Sequence, residues 1–248
     1  MELIQKLILN DYRYIRNDVS QLSSGAPVYH SILTGIAQGD GRTHSTYKRA
    51  GIDKDVGAKA IEELQNRNII RVEKPKKVFT SWNENETVDN KLFFTTPFLR
   101  FWFAFISPLF KGIRDGNYDE IIQRFTNHKN EFMQLTFIEL SHELLKLSFK
   151  EDSIDTINTY WDRNIELNIF AKTVSGKCIV GTCKYTNSKV NKNELSRLEE
   201  LCKKANIKAD IFVIVAKQGF SNELKSLKSE TLKLLTLKNF KILIESTS

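Results

Sequence analysis

The chain has 248 residues, 41% of them hydrophobic and 27% charged, a balance that suits a soluble globular protein with room for two modest cores. It contains no apolar run of about 18 residues, and its N-terminus lacks the basic start, apolar centre and cleavage site of a secretory signal. A helical membrane span is therefore excluded and a cytoplasmic location is expected. The formal net charge of +7 is spread along the chain, with a local excess in Arg42–Lys77 of ten Lys/Arg over five Asp/Glu; such a basic stretch is compatible with nucleic acid.

Leu3, Ile4, Leu7, Ile8, Tyr12 and Ile15 recur at helical spacing and predict a helix over residues 1–24, ended by Gly25-Ala26-Pro27. A second helix is expected over Val28–Gln38, with Ile32, Leu33 and Ile36 inward. A third, short one covers about Ser45–Ala50, and a fourth covers Asp55–Asn68 with Val56, Ala60, Ile61 and Leu64 on one face. A strand starts at Ile69–Val72, Lys74–Asn90 reads as a polar loop, and Lys91–Thr95 returns. Helices, a turn at Gly51-Ile52-Asp53, a helix and a hairpin follow the order of a winged helix-turn-helix. Pro97–Pro108 (PFLRFWFAFISP) has no polar face, so it reads as a buried helix rather than a base-stacking surface. Arg114–Glu120 is a candidate boundary.

The remaining chain alternates helix and strand: a helix over Phe132–Leu147, strands over Tyr160–Thr173 and Lys177–Tyr185 about a Ser175-Gly176 turn, and a helix over Asn193–Ala205. A buried strand over Ala209–Ala216, a helix over Ser221–Glu230 and a strand over Leu232–Leu237 complete it, with Ser153–Asn158 as a further candidate strand. This is an α/β sandwich. The predicted organisation is an N-terminal helix over 1–27, a winged helix over 28–96, aromatic connecting helices over 97–130 and an α/β domain over 131–248. Cys178, Cys183 and Cys202 are too few for a disulfide framework, and no histidine lies near them in sequence to complete a zinc set. The four histidines lie far apart, and His142 with Glu139 reads as a surface pair on a helix.

Three segments carry a resemblance. Pro97–Pro108, the pair Trp161-Asp162 with Glu166-Leu167-Asn168, and Gly181–Val190 (GTCKYTNSKV) resemble the C-terminal half of archaeal-type AAA ATPases of mobile elements. In that family a P-loop ATPase domain precedes a winged helix, an aromatic helix and a PD-(D/E)xK nuclease-like domain. The resemblance implies an α+β/α/β chain: an N-terminal helical winged-helix domain followed by a PD-(D/E)xK-like α/β sandwich. No GxxxxGK(S/T) string exists, so no ATP hydrolysis is expected; Lys177 reads as a turn residue. The family pattern places acids on the first helix, on the second strand and two residues before a strand lysine. Here those positions hold Ile138 or Glu139, then Asn168, then Thr182 with Lys184.

Hydrolysis of a phosphodiester with Mg²⁺ requires carboxylates, because neutral Asn and Thr oxygens bring no charge to draw the ion from water. The expected site is therefore a remnant: Lys184, Glu166 and Glu139 with Asn168 and Thr182, and no metal or other cofactor. Lys184 either contacts phosphate or pairs with a neighbouring acid. Glu166, with Glu139, Glu143 or Glu131 from the helix, is the route by which a Mg²⁺- or Mn²⁺-dependent deoxyribonuclease would be rebuilt. Double-stranded DNA is the expected partner, through Lys48, Arg49, Lys59, Gln65, Asn66, Lys74, Lys76 and Lys77 of the winged helix. The acids Asp53, Asp55, Glu62 and Glu63 oppose phosphate approach, which keeps open a role in docking a protein partner, a second copy or a separate ATPase.

Overall fold

In the computed structural model, which describes residues 6, 11–22, 26–75 and 88–245, the chain divides into two units. The described residues up to Pro75 and from Val88 to His128 form one; those from Lys129 onward form the other. The structure is mixed α/β, with a two-stranded and a five-stranded sheet. Among the described residues no helix is long and apolar enough to cross a membrane.

The first unit begins with α1 (Tyr12–Leu22), α2 (Pro27–Ala37), α3 (Thr43–Ala50) and α4 (Lys54–Asn66). Pro27 starts α2, where a missing N–H costs nothing. Asp53 caps α4 by accepting from the Asp55 and Val56 amides at 3.0 and 3.1 Å. Helix α2 packs against α3 and α4, and Ile32, Leu33, Ile36, Ala60, Ile61 and Leu64 are buried, as their spacing requires. Val56 is not: it is 46% exposed, and Gly57 takes the inward position instead. A Cβ on Gly57 would lie 2.4 Å from Cε1 of Tyr47, so the Tyr47 ring fills the space that a side chain at 57 would need. The hairpin of β1 (Ile70–Glu73) and β2 (Lys91–Phe94) is antiparallel, with an added bridge from Arg42 to Lys91. Most of the expected polar loop, residues 76–87 with Lys76 and Lys77, lies outside the described residues.

The aromatic segment is a helix, but not a uniform one. It runs as α5 (Pro97–Phe101), widens to a π-helix over Trp102–Ile106, tightens to a 3₁₀ turn at Ser107–Leu109 and continues as α6 (Phe110–Arg114). All five residues Trp102–Ile106 are buried. Helix α7 (Asp119–Ser148) starts 13 residues earlier than its apolar periodicity suggests. Its first part presents mostly polar residues to solvent and gives no periodic signal, and Asn117 accepts from the Asp119 amide at its start.

In the second unit the strands are β3 (Ile154–Trp161), β4 (Glu166–Thr173), β5 (Cys178–Lys184), β6 (Ile211–Ala216) and β7 (Leu232–Thr236), in that spatial order. The pairs β3–β4 and β4–β5 are antiparallel, whereas β5–β6 and β6–β7 are parallel. The single strand expected over Tyr160–Thr173 is two. Asp162 turns the chain between them by accepting from the Asn164 and Ile165 amides, each at 2.7 Å. Alternation along β5 sends Ile179 and Cys183 into a cluster with Phe137, Ile138 and Leu145 of α7. It sends Val180 to the other face, against Leu198 and Cys202 of α8 (Asn193–Lys204). Helix α9 (Asn222–Ser226) is half the expected length: Ser221 caps it, and the chain leaves the helix at Leu227 to reach β7.

Candidate functional site

Strands β4 and β5 pair only as far as Ile169 opposite Gly181. Beyond that point β5 continues without a backbone partner from β4, and each polar group of its exposed edge needs another. Two side chains serve. Asn168 Oδ1 accepts from the Cys183 amide at 3.0 Å. The Gln134 side chain of α7 donates to the Cys183 carbonyl at 2.8 Å and accepts from the Tyr185 amide at 2.9 Å. His142 Nε2 donates to the Asn168 carbonyl at 2.7 Å, which requires a proton on that nitrogen. His142 is therefore half-buried and tied to the sheet, a correction to its reading as a surface residue.

The divergence of β4 from β5 opens a cleft of about 380 Å³ beneath the N-terminal half of α8. Glu166, Asn168, Thr182 and Lys184 line it together, alongside Gln134, Glu194 and Arg197. Glu166 is exposed and Thr182 is 6% exposed. Glu139 does not line the cleft, and neither do Glu131 and Glu143. The α7 side chain that reaches it is Gln134, about one and a half helical turns before Glu139. The sequence reading missed both Gln134 and Glu194; the only available signal for the latter was an acid in the first turn of the helix after Lys184.

Glu194 organises the cleft. Its Oε1 lies 2.8 Å from Lys184 Nζ and 2.8 Å from Arg197 Nη1. Thr182 Oγ1 lies 3.5 Å from that same oxygen and 3.3 Å from Asn168 Oδ1, so its single proton serves one of them at a time. The Lys184 and Glu194 side chains are 25% and 16% exposed, so their attraction is less screened than that of a surface pair. Among the described residues, no group of three or more His, Cys, Asp or Glu side chains comes together as a metal site.

At the carboxyl end of β5 the chain enters a loop through Tyr185. Lys217, after β6, donates its amide to the Lys184 carbonyl at 3.0 Å. Its ammonium group donates to Asn187 Oδ1 at 3.0 Å and sits 4.2 Å from the Tyr185 ring centroid. Cys183 points away from the cleft into the apolar layer, where burial pushes its thiol up to about 12; it is no nucleophile. Burial likewise raises Cys202 to about 11 and also raises Cys178. All three thiols are free. Lys177 sits after the Ser175-Gly176 turn, 3.8 Å from Asp152.

In the first unit Lys48, Arg49, Lys59, Gln65, Asn66 and Lys74 are exposed. Lys48 and Arg49 lie in the last turn of α3; Lys59, Gln65 and Asn66 lie along α4 with Glu62 and Glu63 also exposed. A second cleft in this unit contains His30, whose Nε2 is 2.6 Å from Ser107 Oγ; burial lowers the His30 pKa.

Fold and cleft define a mixed α/β protein whose polar site lies where two strands part beside a helix. Residues 102–197 match a family described as archaea bacterial proteins of unknown function (DUF234). The match spans less than half of the chain, yet it includes Asn168, Thr182, Lys184 and Glu194. Neither the curated proteins nor the solved structures contain a significant match to the chain.

Proposed function

We propose that the protein is a DNA-associated factor in which a winged helix is joined to a PD-(D/E)xK-like domain that holds nucleic acid without cutting it. The observation that carries this reading is the composition of the cleft. Lysine, arginine and hydroxyl groups converge there, while the two strand positions that would carry metal-binding acids are Asn168 and Thr182. Both oxygens are already committed to hydrogen bonds within the cleft. Two separate carboxylates, Glu166 and Glu194, remain, and Glu194 is engaged by two cations. This donor set does not fit a catalytic Mg²⁺, which is held by carboxylates able to displace part of its hydration shell.

The winged-helix assignment is supported by the order of helices and hairpin and by the Arg42–Lys91 bridge at the hairpin edge. It puts α4 forward as the groove-reading helix, with Lys59, Gln65 and Asn66 toward bases or phosphates and Lys48 and Arg49 on the backbone. A mobile-element setting follows from the family resemblance and belongs to the same proposal; docking to a separate ATPase is the alternative to DNA binding.

The test is an electrophoretic shift with duplex DNA across a salt series. Binding should weaken steeply as salt rises, and Lys48→Glu/Arg49→Glu should reduce both the affinity and the salt slope. A salt-independent affinity, or no shift at all, would transfer the role to protein docking. A second reading, metal-dependent cleavage, has one supporting observation: Glu166 and Glu194 share the cleft. It requires plasmid nicking with Mn²⁺ that is lost in Glu194→Gln.

A further inference from the structure

We infer that the cleft is a receptor for a DNA backbone phosphate whose place is taken, in the free protein, by the carboxylate of Glu194. The inference rests on the nuclease-like reading of the domain and adds to it a ligand group and a built-in competitor.

The geometry is that of an anion site. Lys184 Nζ, Arg197 Nη1 and Thr182 Oγ1 all converge on one oxygen, Glu194 Oε1, at 2.8, 2.8 and 3.5 Å. An ammonium, a guanidinium and a hydroxyl directed at one negative oxygen make up a phosphate-binding set. The three donors differ in freedom. Lys184 and Thr182 are anchored on β5, which Asn168 and Gln134 hold in place by its backbone. The Arg197 side chain is 55% exposed and can follow a ligand. Glu194 sits in the first turn of α8, on a side chain with three rotatable bonds, and can leave without moving a strand.

The surroundings favour nucleic acid over a small free anion. The cleft's volume of about 380 Å³ exceeds what one phosphate needs and falls in the range of sites that hold larger ligands. Lys217 is tied to the same strand end by its amide, and its ammonium group is held beside Tyr185.

The experiment measures binding of a labelled short duplex at fixed salt by fluorescence anisotropy, with inorganic phosphate as a competitor. Removing the internal carboxylate frees both cations, so Glu194→Gln should bind roughly tenfold tighter than the unmodified chain. Adding Lys184→Ala to Glu194→Gln should abolish that gain, and Glu200→Gln, an exposed charge change on the same helix, should leave affinity unaltered. Millimolar phosphate should displace duplex from the Glu194→Gln cleft less effectively than unlabelled duplex does; equal displacement per phosphate group would mean a free-anion site and overturn the proposal. Lysine acetylation of the unmodified chain reads the contact without any variant: Lys184 should become protected when duplex is added. Unchanged Lys184 reactivity, or Glu194→Gln binding no tighter than the unmodified chain, overturns the proposal while a Lys48/Arg49-dependent shift leaves the DNA-binding reading standing. If no form of the protein binds duplex, both fall.

Discussion

Replacing Asn168 separates its structural work from its missing charge. In Asn168→Ala the Cys183 amide loses its acceptor at 3.0 Å in a position that is 1% exposed. A buried donor left without a partner costs about 1–3 kcal/mol, so local opening of β5 at Cys183 becomes roughly five- to hundredfold more frequent at ~1.4 kcal/mol per tenfold. Amide hydrogen exchange followed by NMR reads that quantity at the residue itself. Asn168→Asp should behave otherwise. Asn168 Oδ1 is the acceptor from both Thr182 and the Cys183 amide, and a carboxylate oxygen accepts in the same way. Protection at Cys183 should therefore survive in Asn168→Asp. That variant also puts a third carboxylate beside Glu166 and Glu194, and millimolar Mn²⁺ should raise its melting temperature but not that of the unmodified chain. Equal loss of protection in Ala and Asp variants, or none in either, would refute the role given to Oδ1. A Mn²⁺-dependent rise in the unmodified chain would refute the claim that its donor set is unfit for a metal.

Three further outcomes follow from the packing. Gly57→Ala should destabilise the first unit by up to about 2 kcal/mol, because overpacking against the Tyr47 ring, at about 1–3 kcal/mol, offsets a gain in helix propensity of about 1 kcal/mol; in a Tyr47→Ala background the same change should stabilise, a sign reversal that thermal melts would show. The Cys183 thiol is raised in the fold from 9.0 to about 12, so its contribution is complete below pH 9 and is lost as pH climbs toward 12, when the unfolded chain ionises first. Denaturation curves above pH 9 should therefore be less steep in pH for Cys183→Ala by about 1.4 kcal/mol per unit. His30 shifts the other way: burial lowers it from 6.5, so the unfolded chain binds its proton first and stability is lost as pH falls below 6.5. His30→Gln should lose less stability than the unmodified chain between pH 7 and pH 5.5.

The sheet was legible because its signals are local. Period-two alternation, a Ser175-Gly176 turn and apolar runs bounded by polar residues place β5 and β6 within two residues of where they lie and end β4 at Thr173, although β4 begins six residues after the expected start. Helical periodicity in Ile32, Leu33 and Ile36 did the same for α2. Failures came where a contact across the fold overrides the local pattern. Periodicity reads Val56 as buried, but Tyr47 claims the space at the next position. The Trp102–Ile106 segment is apolar on every side and so contains no period from which a π-helix could be distinguished. Gln134 replaces missing ladder bonds with a side-chain amide, and nothing in the spacing of a lone glutamine announces that use. Glu139 is favoured by the family pattern, which puts an acid on the helix before the strands, whereas the helical acid in the cleft, Glu194, comes from the helix after them.

That displacement bears on what the cleft can do. A carboxylate at position 182 would stand two residues from Lys184 on the same face of one strand, at a spacing of about 6.6 Å set by the backbone. Such an acid would have to stay beside the lysine in every state, fixed enough to hold an ion while the lysine meets the phosphate. Glu194 neutralises the same lysine from a helix, 2.8 Å away, with no strand joining the two. The free protein therefore keeps its cation paired, as a partly buried ammonium requires, while the anion remains exchangeable. Under the proposal, that anion would yield its place to a phosphate and take it back on release. It cannot in the same act grip a metal ion against that phosphate. If the cleft holds nucleic acid as proposed, a carboxylate on the helix in place of one on the strand would separate holding it from cutting it.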